Sequence, residues 1–409
     1  MSYPGYADLP PEIQDSIVDC LHSEPETLKY CCLVSRAWVS RTRKHLFAAI
    51  KFHTSAHLEA WKTTFPDPSN SPAHYARTLS INCHLVDVTD ADAAEGGWIP
   101  TFSRIVGLEL GNYLTYSDGD SGKSLAPFHK LSPTLKSLVV SAIFLPLSQL
   151  SELIRFLPHL EDLSLTGRDP SNEQHKTVVS SPASPPLTGN LTLVVFGGIA
   201  KTVRHLLDLP NGVQFRTLRW CWCKEEDVRQ MMKLVVACSK TLESLDVMYH
   251  LKGVVYSVSL CNSGLLELWS ADESEPWVID LSKATKLKGA VLHCESLDSG
   301  WITRTLKTIT PEHRGLQKIS ISIPSLLGHV TAEDCGGIER RIEEANLGTR
   351  WSDLERLLIE CWDSRSIRVE VVYPQTQTRN LARGMKDWAV YLFPELTKRG
   401  IIDLVEGTW

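Results

Sequence analysis

The chain has 409 residues, of which 43% are hydrophobic and 22% are charged, and its formal net charge is −6 at pH 7. These values are ordinary for a globular protein and allow a large core, in one long domain or in two to three smaller ones. The acidic balance argues against a nucleic-acid partner, because such binding needs a strongly basic surface. No apolar run reaches the roughly 20 residues that span a bilayer, so we expect no membrane segment.

The cysteines and the first residues together predict a compartment. The 11 cysteines are scattered along the chain and include no C-x-x-C pair. The opening MSYPGYADLPPEIQ lacks the basic and then apolar run of a secretory signal. We therefore expect reduced thiols in a cytoplasmic or nuclear protein.

Residues 9–52 contain the first predicted elements, which are three short helices. Pro10 and Pro11 suit the first turn of a helix, because proline has no N–H and a fixed φ. Ile13 and Ile17 follow at four-residue spacing and predict an apolar stripe along that helix.

A second and a third helix follow. Ser23 and Glu26 have the spacing of a capping box, which predicts a second helix to about Leu33. Ser35 is placed to cap the third, which carries Trp38 among basic residues. A unit of this size buries too little apolar surface to be robust alone, and it has no metal-ligand spacing and no disulfide framework. We therefore expect an exposed apolar face that a partner covers.

This segment resembles the F-box family. The resemblance rests on the order and spacing of Leu9-Pro10-x-Glu12-Ile13, of Ile17, Leu21 and Leu28, and of the run Leu33-Val34-Ser35-Arg36-Ala37-Trp38. It implies docking on a Skp-type adaptor, which tethers the protein to a cullin ubiquitin ligase. The adaptor-binding residues that it implies are Leu9, Pro10, Ile13, Ile17, Leu28, Val34 and Trp38. In the alternative interpretation, these are core residues of a helical cap on the domain that follows.

The predicted helical domain spans residues 1–52. A predicted linker follows at residues 53–75, where three prolines break any regular element. Beyond the linker, an apolar pattern recurs. Its apolar residues occupy positions one, four and six of a short segment. The copies are Ile105-Leu108-Leu110, Leu135-Leu138-Val140, Leu160-Leu163-Leu165, Phe215-Leu218-Trp220, Leu242-Leu245-Val247, Leu265-Leu268-Ser270, Leu287-Ala290-Leu292, Leu316-Ile319-Ile321 and Leu354-Leu357-Ile359, with partial copies at residues 78–81 and 191–193.

Periods in the twenties with an L-x-x-L-x-L core are typical of leucine-rich repeats. The pattern resembles the irregular leucine-rich repeats that often follow an F-box. We therefore expect an α/β solenoid over residues 76–409, with parallel strands on the concave face and helices or loops on the convex face. An unrelated α/β fold with short apolar strands is the alternative.

Four segments between and after the repeats have their own predictions. Residues 148–157 and 224–236 have apolar stripes at helical spacing. Residues 168–190 form a predicted loop insertion, because their first part is polar and rich in proline. Residues 380–409 form a predicted closing cap, with a helix that Pro394 stops and a final strand.

The residue between the last two apolar positions of each copy points to the opposite face of a strand. That face is the predicted concave surface, where a protein substrate would bind. The candidate substrate residues are Glu109, Val139, Ser164, Arg219, Asp246, Trp269, Ser320 and Leu358.

Motifs that carry catalysis or bind cofactors are incomplete in this sequence. The stretch from Ser117 to Ser124 resembles a phosphate-binding loop but has serine where the first glycine is required. Cys221 and Cys223 lack the second ligand pair of a zinc site. Neither an H-E-x-x-H nor a G-x-S-x-G motif occurs. We therefore expect no enzyme, no cofactor and no metal.

The resemblance as a whole predicts the substrate-recognition subunit of an SCF-type E3 ubiquitin ligase. The F-box would bind the Skp-type adaptor, and the repeats would bind a protein substrate whose identity the sequence does not give. A non-catalytic interaction scaffold outside ubiquitylation is the first alternative, and an enzyme with an unrecognised site is the second.

Overall fold

The computed structural model of the chain describes residues 10–82, 90–94, 97–111, 126–131, 133–141, 147–168, 186–196, 199–209, 211–222, 225–249, 278–293, 300–322, 347–365, 367–374 and 390–407. The chain divides into two units, Met1–Val178 and Val179–Trp409. Both are α/β with parallel strands, as the sequence predicts. None of the helices in the described ranges has the length and apolar character needed to cross a membrane.

The first unit begins with three helices, α1 (Pro11–Cys20), α2 (Pro25–Val34) and α3 (Arg36–Leu46). The predicted cap of α3 is confirmed, since the Ser35 hydroxyl accepts a hydrogen bond from the Ala37 N–H at 3.2 Å. The predicted capping box of α2 is wrong. Its helix starts at Pro25, so the N-cap position falls on Glu24, which makes no side-chain cap bond.

A small core joins these three helices. Val18, Leu28 and Thr42 are fully buried, one from each helix. The Trp38 indole N–H donates to Gln14 Oε1 at 2.9 Å and thereby links α3 to α1. The Thr42 hydroxyl donates to the carbonyl of Trp38 one turn earlier, which satisfies a polar group inside the core.

Five parallel strands follow in the first unit, each paired with the next along the chain. They are β1 (Ala49–Phe52), β2 (Thr78–Ile81), β3 (Gly107–Leu110), β4 (Ser137–Ser141) and β5 (Asp162–Arg168). The intervening helices are α4 (Ser55–Thr64), α5 (Asp90–Ala93) and α6 (Leu147–Arg155), with short 3₁₀ turns at Pro68–Asn70, Pro72–Tyr75, Ile99–Thr101 and Ala126–Leu131.

The start of the sheet differs from the predicted domain boundary. β1 lies inside the residues assigned to the helical domain, and α4 occupies much of the predicted linker. Ile50 and Phe52 are buried while their neighbours face solvent, which is the period-two pattern of a strand. The Phe52 ring packs edge-on against Trp61 and Trp98, with centroids 5.7 and 5.8 Å apart.

The second unit contains seven parallel strands, again paired in chain order. They are β6 (Leu187–Phe196), β7 (Val213–Trp222), β8 (Ser244–Tyr249), β9 (Gly289–His293), β10 (Lys318–Ser322), β11 (Arg368–Pro374) and β12 (Ile402–Gly407). The helices are α7 (Ala200–Leu207), α8 (Glu225–Cys238), α9 (Gly300–Leu306), α10 (Leu347–Arg365) and α11 (Pro394–Lys398). The predicted loop insertion therefore ends before Leu187.

The recurring apolar pattern is confirmed as strands at most of its copies. Position four of each copy aligns with position four of the next, so one inward row contains Leu218, Leu245, Ala290 and Ile319. All four are buried at 1% exposure or less. In the first unit the same position gives the buried row Leu79, Leu108, Leu138 and Leu163. The copy at residues 265–270 falls outside the described ranges.

One copy is wrong. Leu354-Leu357-Ile359 lies in the middle of α10 and not in a strand. Trp351, Leu354, Leu358 and Cys361 are the buried apolar residues there, and their spacing of three and four is that of a helix. The strand that follows β10 is β11, in which Val369 and Val371 alternate inward.

The two predicted helices at 148–157 and 224–236 are confirmed as α6 and α8. At the end of the chain, the predicted strand is confirmed as β12, which pairs with β11. Residues 390–392 are helical and this helix ends before Phe393, so the predicted end of a helix at Pro394 is confirmed. Pro394 also starts α11, where a proline at the first position loses no hydrogen bond. Residues 380–389 of the predicted cap helix are not among those described.

Candidate interaction surfaces

The helices α1 and α2 each carry exposed apolar side chains. We call them together the apolar head surface, and their residues are Ile13 (48% exposed), Ile17 (38%), Tyr30 (68%), Leu33 (82%) and Val34 (72%). Nine large hydrophobic side chains are exposed among the described residues, and five of them belong to this short segment. A concentration of this kind is typical of a surface that another molecule covers.

Helix geometry explains why these side chains face outward. On α2, Tyr30, Leu33 and Val34 are three and four residues apart and share one face. Leu28 and Cys31 of the same helix point into the core and are buried. α2 is apolar on two faces, and only one of these faces is buried.

The predicted adaptor residues fall into three groups. Pro10, Ile13, Ile17 and Val34 are exposed and are free to touch a partner. Leu28 is 1% exposed and lies in the helical core, so it can support adaptor binding only through packing, and its assignment stays a prediction. The two remaining positions differ: Trp38 is partly buried against Gln14, and Leu9 precedes the first described residue.

Sequence reasoning missed Tyr30 and Leu33 as members of this surface. Both lie on α2, where Tyr30 is four residues from Val34 and three from Leu33, and the sequence did nominate Val34. The available signal was the second apolar face of α2, opposite Leu28 and Cys31.

Asp19 fixes α1 against α3 within the same three-helix segment. Its carboxylate accepts hydrogen bonds from Arg41 Nε at 2.7 Å, from Arg41 Nη2, and from His45 Nε2 at 2.7 Å. The hydrogen bonds from Arg41 and then His45 hold the pKa of Asp19 well below its usual value. The same contact raises the pKa of Arg41.

The strand side chains opposite the buried apolar rows form a second set of aligned positions, of which Ser80 and Ser320 are themselves buried at 4% and 1% exposure. In the first unit, Lys51, Ser80, Glu109, Val139 and Ser164 align across β1 to β5 in consecutive register. Three of the predicted substrate residues therefore form one row, on the sheet face opposite the buried leucines. We call this the open row of the first unit.

The second unit has an equivalent open row. Its members are Thr192, Arg219, Asp246, Val291, Ser320, Glu370 and Asp403, aligned across β6 to β12. Arg219, Asp246 and Ser320 were predicted from sequence. The row brings them into register with Glu370 and Asp403, which the sequence did not nominate.

Charged pairs run along this open row. Arg219 Nε lies 3.1 Å from Asp246 Oδ2, and His293 Nε2 lies 2.8 Å from Asp246 Oδ1. The side chain of His293 is only 5% exposed. Asp246 therefore joins three neighbouring strands through its two oxygens.

Glu370 is the centre of a second polar cluster. Its side chain is 6% exposed, and its carboxylate lies 2.6 Å from Lys318 Nζ and accepts the Ser320 hydroxyl at 3.0 Å. Arg368 lies beside it and pairs with Asp403 at 2.7 Å, which raises the pKa of Arg368. Burying a carboxylate without partners is costly, so these contacts keep the cluster in place.

The last two predicted substrate residues are not part of the row. Leu358 is 0% exposed inside α10, so its assignment to an open strand surface is wrong. The neighbour of Ser320 in the row is Glu370, because β11 and not residues 354–359 pairs with β10. Trp269 lies in a stretch that the structure does not describe, and its assignment stays a prediction.

The described residues contain no group of His, Cys, Asp and Glu side chains that could hold a metal ion. Cys221 is buried on β7, while Cys223 is outside the described ranges. Burial raises the pKa of the Cys238 thiol to about 11, so this cysteine is a poor nucleophile at neutral pH.

No protein-family model matches the sequence, and no curated protein is significantly similar to it. The function is therefore inferred from the sequence pattern and from the chemistry of the two surfaces.

Proposed function

We propose that the protein is the substrate-recognition subunit of an SCF-type ubiquitin ligase. In this proposal α1 to α3 form an F-box that binds a Skp-type adaptor, and the adaptor connects the chain to a cullin. The parallel strands that follow form an irregular leucine-rich-repeat solenoid, which holds a protein substrate.

The exposed apolar head surface carries this proposal. A three-helix segment with a small core leaves Tyr30, Leu33 and Val34 more than two-thirds exposed. Exposed apolar area of this kind favours association, because covering it removes that area from water. The LP opening and the LVS-basic-x-Trp run of the same segment indicate which partner covers it.

The chain itself contributes no catalytic residue in this mechanism. It holds the substrate near a ubiquitin-loaded enzyme that is bound elsewhere in the complex. Holding two reactants together raises their effective concentration and so raises the rate of transfer. The open rows, with the exposed Arg219 and the partly exposed Asp246, supply polar side chains for recognising that substrate.

Adaptor capture by the full chain tests the proposal. Ile13→Ala combined with Leu33→Ala is expected to abolish capture of a purified Skp-type adaptor in a pull-down. Each anchor of an interface is worth about 2 kcal/mol or more, which is roughly thirtyfold in Kd. Both side chains are exposed in the free chain, so the substitutions leave its core intact.

The matched control is Val236→Ala combined with Val390→Ala, since both valines are exposed elsewhere on the chain. This control is expected to capture the adaptor normally. Unchanged capture by the Ile13 and Leu33 variant, with a native circular dichroism spectrum, contradicts the docking assignment. In a separate co-purification with both adaptor and cullin present, capture of the adaptor without the cullin favours an interaction scaffold that does not act in ubiquitylation.

A further inference from the structure

The second unit carries a cluster of exposed cations where its middle strands begin. Because the strands are parallel, all their starting ends meet at one edge. We call the six residues there the basic edge: Arg216 on β7, Lys240 before β8, Lys283, Lys286 and Lys288 before β9, and Arg314 before β10. All six are exposed.

The charge of this edge is opposite to that of the chain. Residues 239–243, 278–288 and 307–317, together with Arg216, contain seven lysines and arginines against three acidic residues, a balance of +4. The whole chain carries −6. A local excess of one sign attracts ligands of the other sign within about 10 Å at moderate salt.

Backbone hydrogen bonds fix the spacing of this edge. The Glu243 N–H donates to the Arg216 carbonyl, the Lys288 N–H donates to the Glu243 carbonyl, and the Gln317 N–H donates to the Lys288 carbonyl. Neighbouring strands are about 4.8 Å apart, so Arg216 and Lys288 are separated by about 10 Å. An extended peptide covers that distance in about three residues.

Within the described ranges, most of these cations form no salt bridge. Lys288 Nζ pairs with Glu243 at 2.7 Å, and this hydrogen bond, together with the charges of Lys288, Arg216 and Lys286, lowers the pKa of Glu243. The other five members of the basic edge form no salt bridge with any residue in the described part of the chain. Asp280 is already engaged, since it accepts the backbone N–H of Ser282.

The position of Glu243 indicates how the ligand charge is distributed. It lies between Arg216 and Lys288, so a single dense anion centred there would be repelled by its carboxylate. Carboxylates spaced along an extended chain can instead reach the cations on either side of it. Lysine is a flexible point charge, so it suits carboxylates that are spread along a chain better than it suits one planar anion.

We propose that the basic edge docks an extended, carboxylate-rich segment of a protein, in which Asp or Glu residues recur over a few residues. The proposal rests on the proposed function only in assigning that segment to the substrate. Binding itself requires neither the adaptor nor a cullin. Loss of acidic-peptide binding and loss of adaptor capture are therefore separate results.

The test is fluorescence anisotropy of a labelled ten-residue polyglutamate peptide with the full chain. Saturable binding that weakens between 50 mM and about 300 mM NaCl is expected, because salt screens exposed charges. Arg216→Gln combined with Lys283→Gln and Lys286→Gln is expected to weaken binding by about tenfold or more, since three exposed charge contacts are lost. A decaglutamine peptide is expected not to bind.

The matched control removes one arginine and two lysines elsewhere on the same unit, with Lys233→Gln, Arg356→Gln and Lys398→Gln. It is expected to bind polyglutamate as the unaltered chain does. An equal loss in the control, or no saturable binding by the unaltered chain, overturns the proposal. So does tighter binding, through the same three residues, of oligothymidylate or of a peptide with one phosphoserine and no other acidic residue. Melting temperatures of both variants show whether they remain folded.

Discussion

Asp19 is a single residue on which the geometry of the helical segment depends. It lies on α1, and its three hydrogen bonds come from Arg41 and His45 of α3. Nothing in the sequence marked it, because its partners are more than 20 positions away. Ser35 could be predicted as a cap because its partner is two residues on, whereas Asp19 could not be predicted as a link between helices.

The pH dependence of this link follows from the direction of its pKa shift. Because the folded pKa of Asp19 is depressed, its contribution to stability is complete above the ordinary value of 3.8 and is lost as pH falls from there toward the folded pKa. We predict that hydrogen exchange of α1 amides, measured between pH 3 and pH 6, speeds up relative to intrinsic rates below about pH 4. In Asp19→Asn this extra acid effect is expected to be absent, with less protection throughout.

Glu26→Gln is the control for this prediction. Glu26 pairs with Lys29 on its own helix and joins no two elements. Its removal is therefore expected to leave the acid response of α1 unchanged. The same acid response in Asp19→Asn and in the unaltered chain would show that α1 and α3 are held together by other contacts.

At the scale of elements, most strands were predicted from the sequence, whereas β1, β11 and several helices, among them α10, were not. Each strand carries its apolar residues at alternate positions, and a short alternating run has few other uses. Residues 354–359 satisfy that strand template and a helical one equally, because leucines at positions one and four also share a helix face. The residues that decide between them are Trp351, Leu358 and Cys361, which extend the helical period over about three turns.

The open row of the second unit shows the same limit of prediction from sequence. Ser320 was nominated from its own strand, but its carboxylate partner Glu370 lies 50 positions later. Strand order and register decide that pairing, and they depend on where β11 begins. Recognition residues on neighbouring strands therefore require the sheet, even when each strand is predicted correctly.

A substitution at Leu358 distinguishes the two assignments. As a helix core residue, Leu358→Ala is expected to lower the free energy of unfolding of the second unit by about 2–5 kcal/mol, because it leaves a cavity. If Leu358 were an exposed strand residue, the same substitution would lower the free energy of unfolding only slightly. Urea denaturation measures the difference, with Glu360→Ala as the control, since Glu360 is exposed on the same helix. Equal midpoints for the two variants would contradict the packing of α10.

At the scale of the whole molecule, the boundary between the helices α1 to α3 and the strands of the first unit matters most for experiments. The sequence placed it after residue 52, because the F-box resemblance extends that far. The structure places β1 in the sheet, where it pairs with β2 through the bonds from Thr78 N–H to the Ala48 carbonyl and from Asn82 N–H to the Phe52 carbonyl. A chain from which residues 1–52 are removed therefore loses β1 together with the helices α1 to α3.

Two truncations make this difference measurable. A chain that begins at Phe47 retains β1, whereas one that begins at His53 loses Ile50 and the ring of Phe52 from the core. Deleting a buried Phe alone costs about 3–5 kcal/mol, so we predict that amides of β2 exchange much faster in the shorter chain than in the longer one. Neither truncation is expected to capture the adaptor. Only the chain that begins at Phe47 separates loss of docking from loss of folding, and equal exchange of β2 in both chains would show that β1 contributes nothing to the first unit.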